Sequence, residues 1–169
     1  IGSLVGAGVR RVPVAAPLFV ALFAVPVVAG VLGLPNPFVI ALPAATQPYT
    51  PPELAIRRYA AAGDAMVVWG WMPEYFVDAG TIMSTRTPNS TREIEPGPFR
   101  AYFRARFMAD IAARPPRVIV DAVAPDSFAY KGRATAGIET FAPLAKLLRE
   151  RYVLKEDVAG VRIFIAKGV

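Results

Sequence analysis

The sequence predicts an α/β fold class: one N-terminal transmembrane helix, then a small α/β domain with a mostly parallel sheet and a C-terminal β-hairpin. Three observations carry that expectation. Residues 12–45 hold no charged side chain. Beyond them, short apolar runs alternate with helix-like segments, the order expected of parallel strands joined by helices. The last stretch alternates apolar and polar residues around a turn at Ala159 and Gly160.

The span is read over residues 12–34, "VPVAAPLFVALFAVPVVAGVLGL". A bilayer core of about 30 Å needs roughly 20 helical residues at ~1.5 Å each. Pro13 suits a first helical turn. Pro17 and Pro26 are tolerated in membrane helices whose neighbours re-satisfy the freed carbonyls. A secretory signal is the competing reading, with Arg10 and Arg11 as its basic head. The apolar run exceeds the roughly 7–15 residues usual there. After these two arginines no Lys or Arg follows until Arg57, which sets the N-terminus in the cytoplasm and the remainder outside. The expected layout is 1–34 as transmembrane helix with a cytoplasmic basic flank, 35–52 as a Pro-rich linker, and 53–169 as an extracytoplasmic domain. The chain starts with Ile rather than Met, so a longer protein is expected to precede Ile1.

In the outer part, "PPELAIRRYAAAGD" reads as a short helix with Pro at its start and Gly63 at its end. "AMVVWG" at 65–70 is a buried strand. "PEYFVDAG" at 73–80 reads as one or two helical turns closed by Gly80. "TIMSTRT" at 81–87 reads as a strand and "NSTREIEPGP" as a loop. "PFRAYFRARFMADIAARPP" at 98–116 is the clearest helix: Phe99, Phe103, Phe107 and Ile111 form a stripe that Tyr102 and Met108 widen. Arg106 and Asp110 stand at i,i+4, a pairing distance. "RVIVDAV" at 117–123 is a second buried strand. "SFAYKGRATAGIE" is a loop and "TFAPLAKLLRERY" at 140–152 an amphipathic helix, before the closing hairpin.

Composition removes several function classes. With no cysteine there is no disulfide and no thiolate metal site. With no histidine there is no Ser-His-Asp triad and no imidazole base. Setting Arg10 and Arg11 aside leaves 17 basic against 13 acidic residues, dispersed along the chain, which argues against a nucleic-acid partner. Arginine outnumbers lysine 15 to 4, a bias that with the alanine content suggests a GC-rich bacterial genome. No metal and no cofactor is expected.

Candidate site residues gather around "VVWGWMPEYFVDAG". Ligands of open α/β sheets bind beyond the carboxyl ends of the strands. Trp69, Trp71, Glu74 and Tyr75 follow such an end, and Gly70 allows the turn. Arg86 downstream adds a cation, so a sugar or lipid headgroup is one occupant. Packing is the plainer reading: Trp69 inside the sheet, Trp71 and Tyr75 as a lid, or an aromatic platform on a bilayer. Asp121 ends the second buried strand and reads either as a site carboxylate or as a loop cap. Asp126 and Ser127 read as a turn cap. Glu93 and Glu95 lie in a loop and read either as cation ligands or, more plainly, as solvated carboxylates. The arginines of 98–114 read as a solvated face or as contacts to lipid phosphates.

The stretch "DAMVVWGWMPEYFVDAG" followed by "STR", with the later "RPPRVIVDAVAPDSF", resembles the extracytoplasmic C-terminal region of bacterial polytopic membrane glycosyltransferases of the GT-C class. These are of the protein-mannosyltransferase and aminoarabinose-transferase kind. The resemblance covers about residues 60–125 and rests on Trp69, Gly70, Trp71, Pro73, Glu74, Tyr75, Gly80 and Arg86. It implies sugar transfer from a polyprenyl-phosphate donor to an acceptor on the outer face. The essential acidic residues of that class lie in a first outer loop. No residue here matches that motif, so no catalytic residue is carried over. Two hypotheses follow. In the first, the chain is the C-terminal portion of such a transferase and supports acceptor binding or assembly in the bacterial inner membrane, with a periplasmic domain. In the second, it is a single-span, non-catalytic accessory subunit whose partners are the lipid bilayer and other membrane protein subunits.

Overall fold

The computed structural model describes residues 48–168 together with Val28. The one-span architecture expected from the sequence is not found among the described residues, where no helix is long and apolar enough to cross a membrane. The physical reason is length and patterning. The longest described helix has 14 residues, about 21 Å against the ~30 Å of a bilayer core, and it is studded with arginines. The stretch 12–34 itself, Val28 apart, lies outside the described residues, as do the linker residues before Pro48.

Helix α1, Pro51–Tyr59, opens on two prolines whose missing N–H groups would have no helical partner at that end. The Glu53 carboxylate accepts the Thr50 backbone N–H at 2.5 Å and closes the first turn. The helix ends four residues before Gly63. Strand β1, Ala65–Trp69, follows, then α2, Glu74–Ala79, which Gly80 caps at φ +65° in the left-handed region that glycine adopts freely. Only Ile82–Met83 of the expected strand at 81–87 forms β2. Helix α3, Thr91–Ile94, and helix α5, Arg133–Ala136, occupy stretches expected to be loop. Helix α4, Arg100–Ala113, and helix α6, Ala142–Arg151, fall within their expected ranges. Strand β3 is Val118–Asp121, and β4, Tyr152–Val158, and β5, Val161–Ala166, form the hairpin.

The sheet order is β2-β1-β3-β5-β4. The pairs β2–β1 and β1–β3 are parallel, while β3–β5 and β5–β4 are antiparallel. The sheet is therefore mixed, not mostly parallel. Burial explains why the hairpin enters with β5 inward. Val161, Ile163 and Ile165 are buried on one face of β5, whereas Val153 and Leu154 of β4 are 42% and 48% exposed. A strand apolar on its inner face belongs in the interior; the more polar strand takes the edge.

Helices cover both faces. Against α1 and α2, one cluster joins Ile56, Tyr75 and Phe76 to Met66, Val68, Val120 and Ile163. Against α4 and α6, the other joins Phe107, Ile111, Leu144 and Leu148 to Val67, Trp69 and Ile119. Successive strand residues enter opposite clusters, as the period of two requires. Because β1 and β3 are parallel, α4 must run back between them. Its N-terminal end therefore lies toward the carboxyl edge of the sheet.

Candidate functional site

Trp69 ends β1 and Asp121 ends β3, and the two are partners in register. Just beyond, Gly70 adopts φ +116°, and a Cβ there would meet the Ala122 carbonyl carbon at 3.3 Å. Glycine is what lets the two chains diverge at so short a separation. The Ala122 N–H donates to the Trp69 carbonyl at 2.8 Å. Ser90 pins the next loop to this edge: its N–H donates to Gly70 O at 3.0 Å and its hydroxyl to Val68 O at 3.1 Å.

The glycine turn sends the two tryptophans to different places. Trp69 is fully buried. Its indole Nε1–H donates to the Ala136 carbonyl at 2.7 Å. Phe107 meets it edge-on at 5.7 Å and Phe141 stacks at 6.0 Å. Trp71 is 36% exposed and its ring lies 6.2 Å from that of Phe128, which is 78% exposed. Two neighbouring exposed aromatic rings thus stand at the carboxyl edge.

Tyr75 is buried under the same edge and, with Met72 and Asp126, lines a cavity of about 260 Å³. Burial, then the carboxylates of Glu74, Glu53 and Asp78, push its phenol well above the ordinary range, so it is a neutral group. Glu74 is exposed at the start of α2. Ser127 does cap this loop: its hydroxyl accepts the Ala124 N–H at 3.1 Å and donates to the Ala122 carbonyl.

Asp121 belongs to the interior. It is fully buried and bound by Arg162, its register partner on β5, while its Oδ1 accepts the Val123 N–H at 3.1 Å. Burial pushes its carboxyl up and the Arg162 guanidinium pulls it down. Arg162 also holds Glu139 at 2.6 Å, which keeps that carboxyl below the usual range. Arg86 stands elsewhere again. It pairs with Asp110 at 3.2 Å, and Arg106 does not. Arg86, Asp110 and Arg114 border a groove of about 1050 Å³ beside β2, where Val77, Ile82 and Met83 are exposed and the buried Ser84 hydroxyl has no partner.

The six expected site residues therefore divide. Trp71, Glu74 and Tyr75 share the carboxyl edge, Trp69 and Asp121 are structural, and Arg86 lines the groove. Glu93 and Glu95 stand in different surroundings. Glu93 is 2% exposed with an unpartnered Oε2, and burial raises its carboxyl. Glu95 accepts the Tyr130 hydroxyl at 3.0 Å. Among the described residues no group of three or more His, Cys, Asp or Glu is placed to hold a metal ion. Phe128, from the stretch expected to be loop, completes the aromatic pair, and no local signal in the sequence marks it.

The fold and its edge define a three-layer α/β domain with an aromatic rim at the carboxyl ends of its parallel strands. No family model, curated protein or solved structure matches the chain.

Proposed function

We propose that this domain is the non-catalytic, periplasmic portion of a bacterial membrane glycosyltransferase that uses a polyprenyl-phosphate sugar donor, and that its carboxyl edge receives the acceptor. The observation that carries this reading is the exposed Trp71–Phe128 pair beside the cavity lined by Tyr75 and Asp126. Aromatic faces with a few nearby polar groups suit the apolar face of a sugar ring or a short isoprenoid segment. The resemblance of residues 60–125 to the outer region of that enzyme class supports the same assignment. The test is sugar transfer in membranes that contain the intact protein. Replacing Trp71 and Phe128 together by Ala raises the acceptor KM about tenfold, from ~0.5–1.5 kcal/mol per aromatic contact, and leaves the donor KM unchanged. An unchanged acceptor KM contradicts the acceptor role.

A second reading, an accessory subunit of a larger membrane complex, draws on the apolar groove beside β2. Under it, wild-type membranes show no transfer, and Ile82→Asp releases the protein from its complex in native electrophoresis.

A further inference from the structure

The stripe on α4 does not behave as one face. Phe107 and Ile111 are buried, but Phe99 and Tyr102 are 68% and 60% exposed. The arginines near these two rings are among those of the domain that close no salt bridge. Arg58, Arg86, Arg117, Arg133 and Arg162 each bind a carboxylate. Among the described residues no carboxylate lies within salt-bridge distance of Arg92, Arg100 or Arg106. Arg92 stacks on Phe103 at 4.7 Å, and Arg106 lies 5.0 Å from Phe103 and 5.8 Å from Tyr102. Arg106 and Arg92 act on the buried Glu93 carboxylate without closing a salt bridge to it, and Glu95 accepts the Tyr130 hydroxyl.

We propose that the first turns of α4, with Arg92 beside them, form a surface that docks on anionic lipid headgroups. The guanidinium groups, those of Arg92 and Arg106 held over aromatic rings, meet the phosphates, while Phe99 and Tyr102 enter the interfacial layer. Charge complementarity selects this occupant: three cations that close no salt bridge, beside two exposed aromatic rings, match a negative headgroup plane with apolar chains beneath. The location fits, since the start of α4 lies toward the carboxyl edge, as does the aromatic rim. This names the surface of a bilayer contact and holds whether or not the rim handles an acceptor.

The chain has no cysteine, so Tyr102→Cys gives a unique site for a fluorophore. The full chain carrying that label is added to vesicles of phosphatidylcholine alone or with phosphatidylglycerol, each containing a lipid-borne quencher. A label at Lys146→Cys, exposed on α6, serves as the reference. The expected result is stronger quenching at 102 than at 146 only with phosphatidylglycerol, reduced to the reference level by Arg92→Gln, Arg100→Gln and Arg106→Gln together. Each arginine near an anionic surface accounts for about a fivefold change in partitioning, so the triple variant loses on the order of a hundredfold. Circular dichroism of the triple variant checks that the fold persists; changes at the exposed Arg92 and Arg100 and the half-buried Arg106 leave it intact. Equal quenching at both positions, or quenching independent of lipid charge, overturns the proposal. Loss of acceptor dependence at Trp71 with normal lipid quenching would instead contradict the acceptor reading alone.

Discussion

Trp69 and Trp71 are two residues apart and do opposite work. Trp69 closes the interior: its indole proton is bonded, two aromatic rings enclose it, and no surface remains exposed. Trp71 meets one exposed ring and solvent. The same division runs along α4, where Phe107 lies in the interior and Phe99 outside it. Residue type and spacing cannot distinguish the members of either pair. What separates them is a single glycine in one case and the end of the sheet in the other.

Stability measurements on the intact protein break this comparison most sharply. Trp69→Ala and Phe107→Ala each cost about 3–5 kcal/mol, the usual loss for a large buried aromatic, and lower the melting temperature by roughly 10 °C or more. Trp71→Ala and Phe99→Ala stay within about 0.5–1 kcal/mol of wild type. Comparable losses at 69 and 71 would mean that the rim is packing.

Asp121 comes next in size. It sits in the same cross-sheet row as Trp69 and binds Arg162. Asp121→Asn leaves the inner side of a largely buried guanidinium without its charge partner, while Glu139 still holds the outer side. The cost is about 3 kcal/mol, the low end for a broken buried pair. Chemical denaturation with an unchanged m-value checks it. A neutral outcome would reopen Asp121 as a site residue.

Effects of pH are smaller. Burial raises the Tyr152 phenol to about 12, above the ~10 of an unfolded chain. Such a group contributes stability that is complete below pH 10 and is lost as pH rises toward 12. Tyr152→Phe lessens the alkaline slope, to which the raised phenol of Tyr75 also contributes, at some cost in overall stability, since the hydroxyl also donates to the Pro116 carbonyl at 2.7 Å. Glu139 acts in the opposite sense: its carboxyl is held low by Arg162, so its contribution is present above about pH 4.3 and is lost on further acidification. Denaturation midpoints across pH 3–12 read both slopes, with Glu139→Gln flattening the acid one.

Much of the framework was legible in the residues. The runs "AMVVW" and "VIVD" are β-branched and apolar because both faces of those strands are covered. The alternation of 152–166 reads directly as a hairpin. The order of the sheet was not legible, because placing β5 beside β3 depends on contacts distant in sequence. Helices α3 and α5 span four residues each, too short for a 3.6-residue period to register. The site was legible only as a neighbourhood. Sequence spacing brought Trp69, Trp71, Glu74 and Tyr75 together, but their burial depends on the φ of Gly70 and on the approach of Ala122. Phe128 joins the rim from a loop more than fifty residues away, and nothing local marks it.

The most direct test uses the fluorescence of the two tryptophans. With acrylamide as quencher, one accessible and one protected population are expected in the full chain. Trp71→Phe removes the accessible one, and a bound acceptor shields it in the wild type. Equal accessibility of both tryptophans, or a quenchable population that survives in the Trp71→Phe protein, would contradict the division between interior and rim on which the account rests.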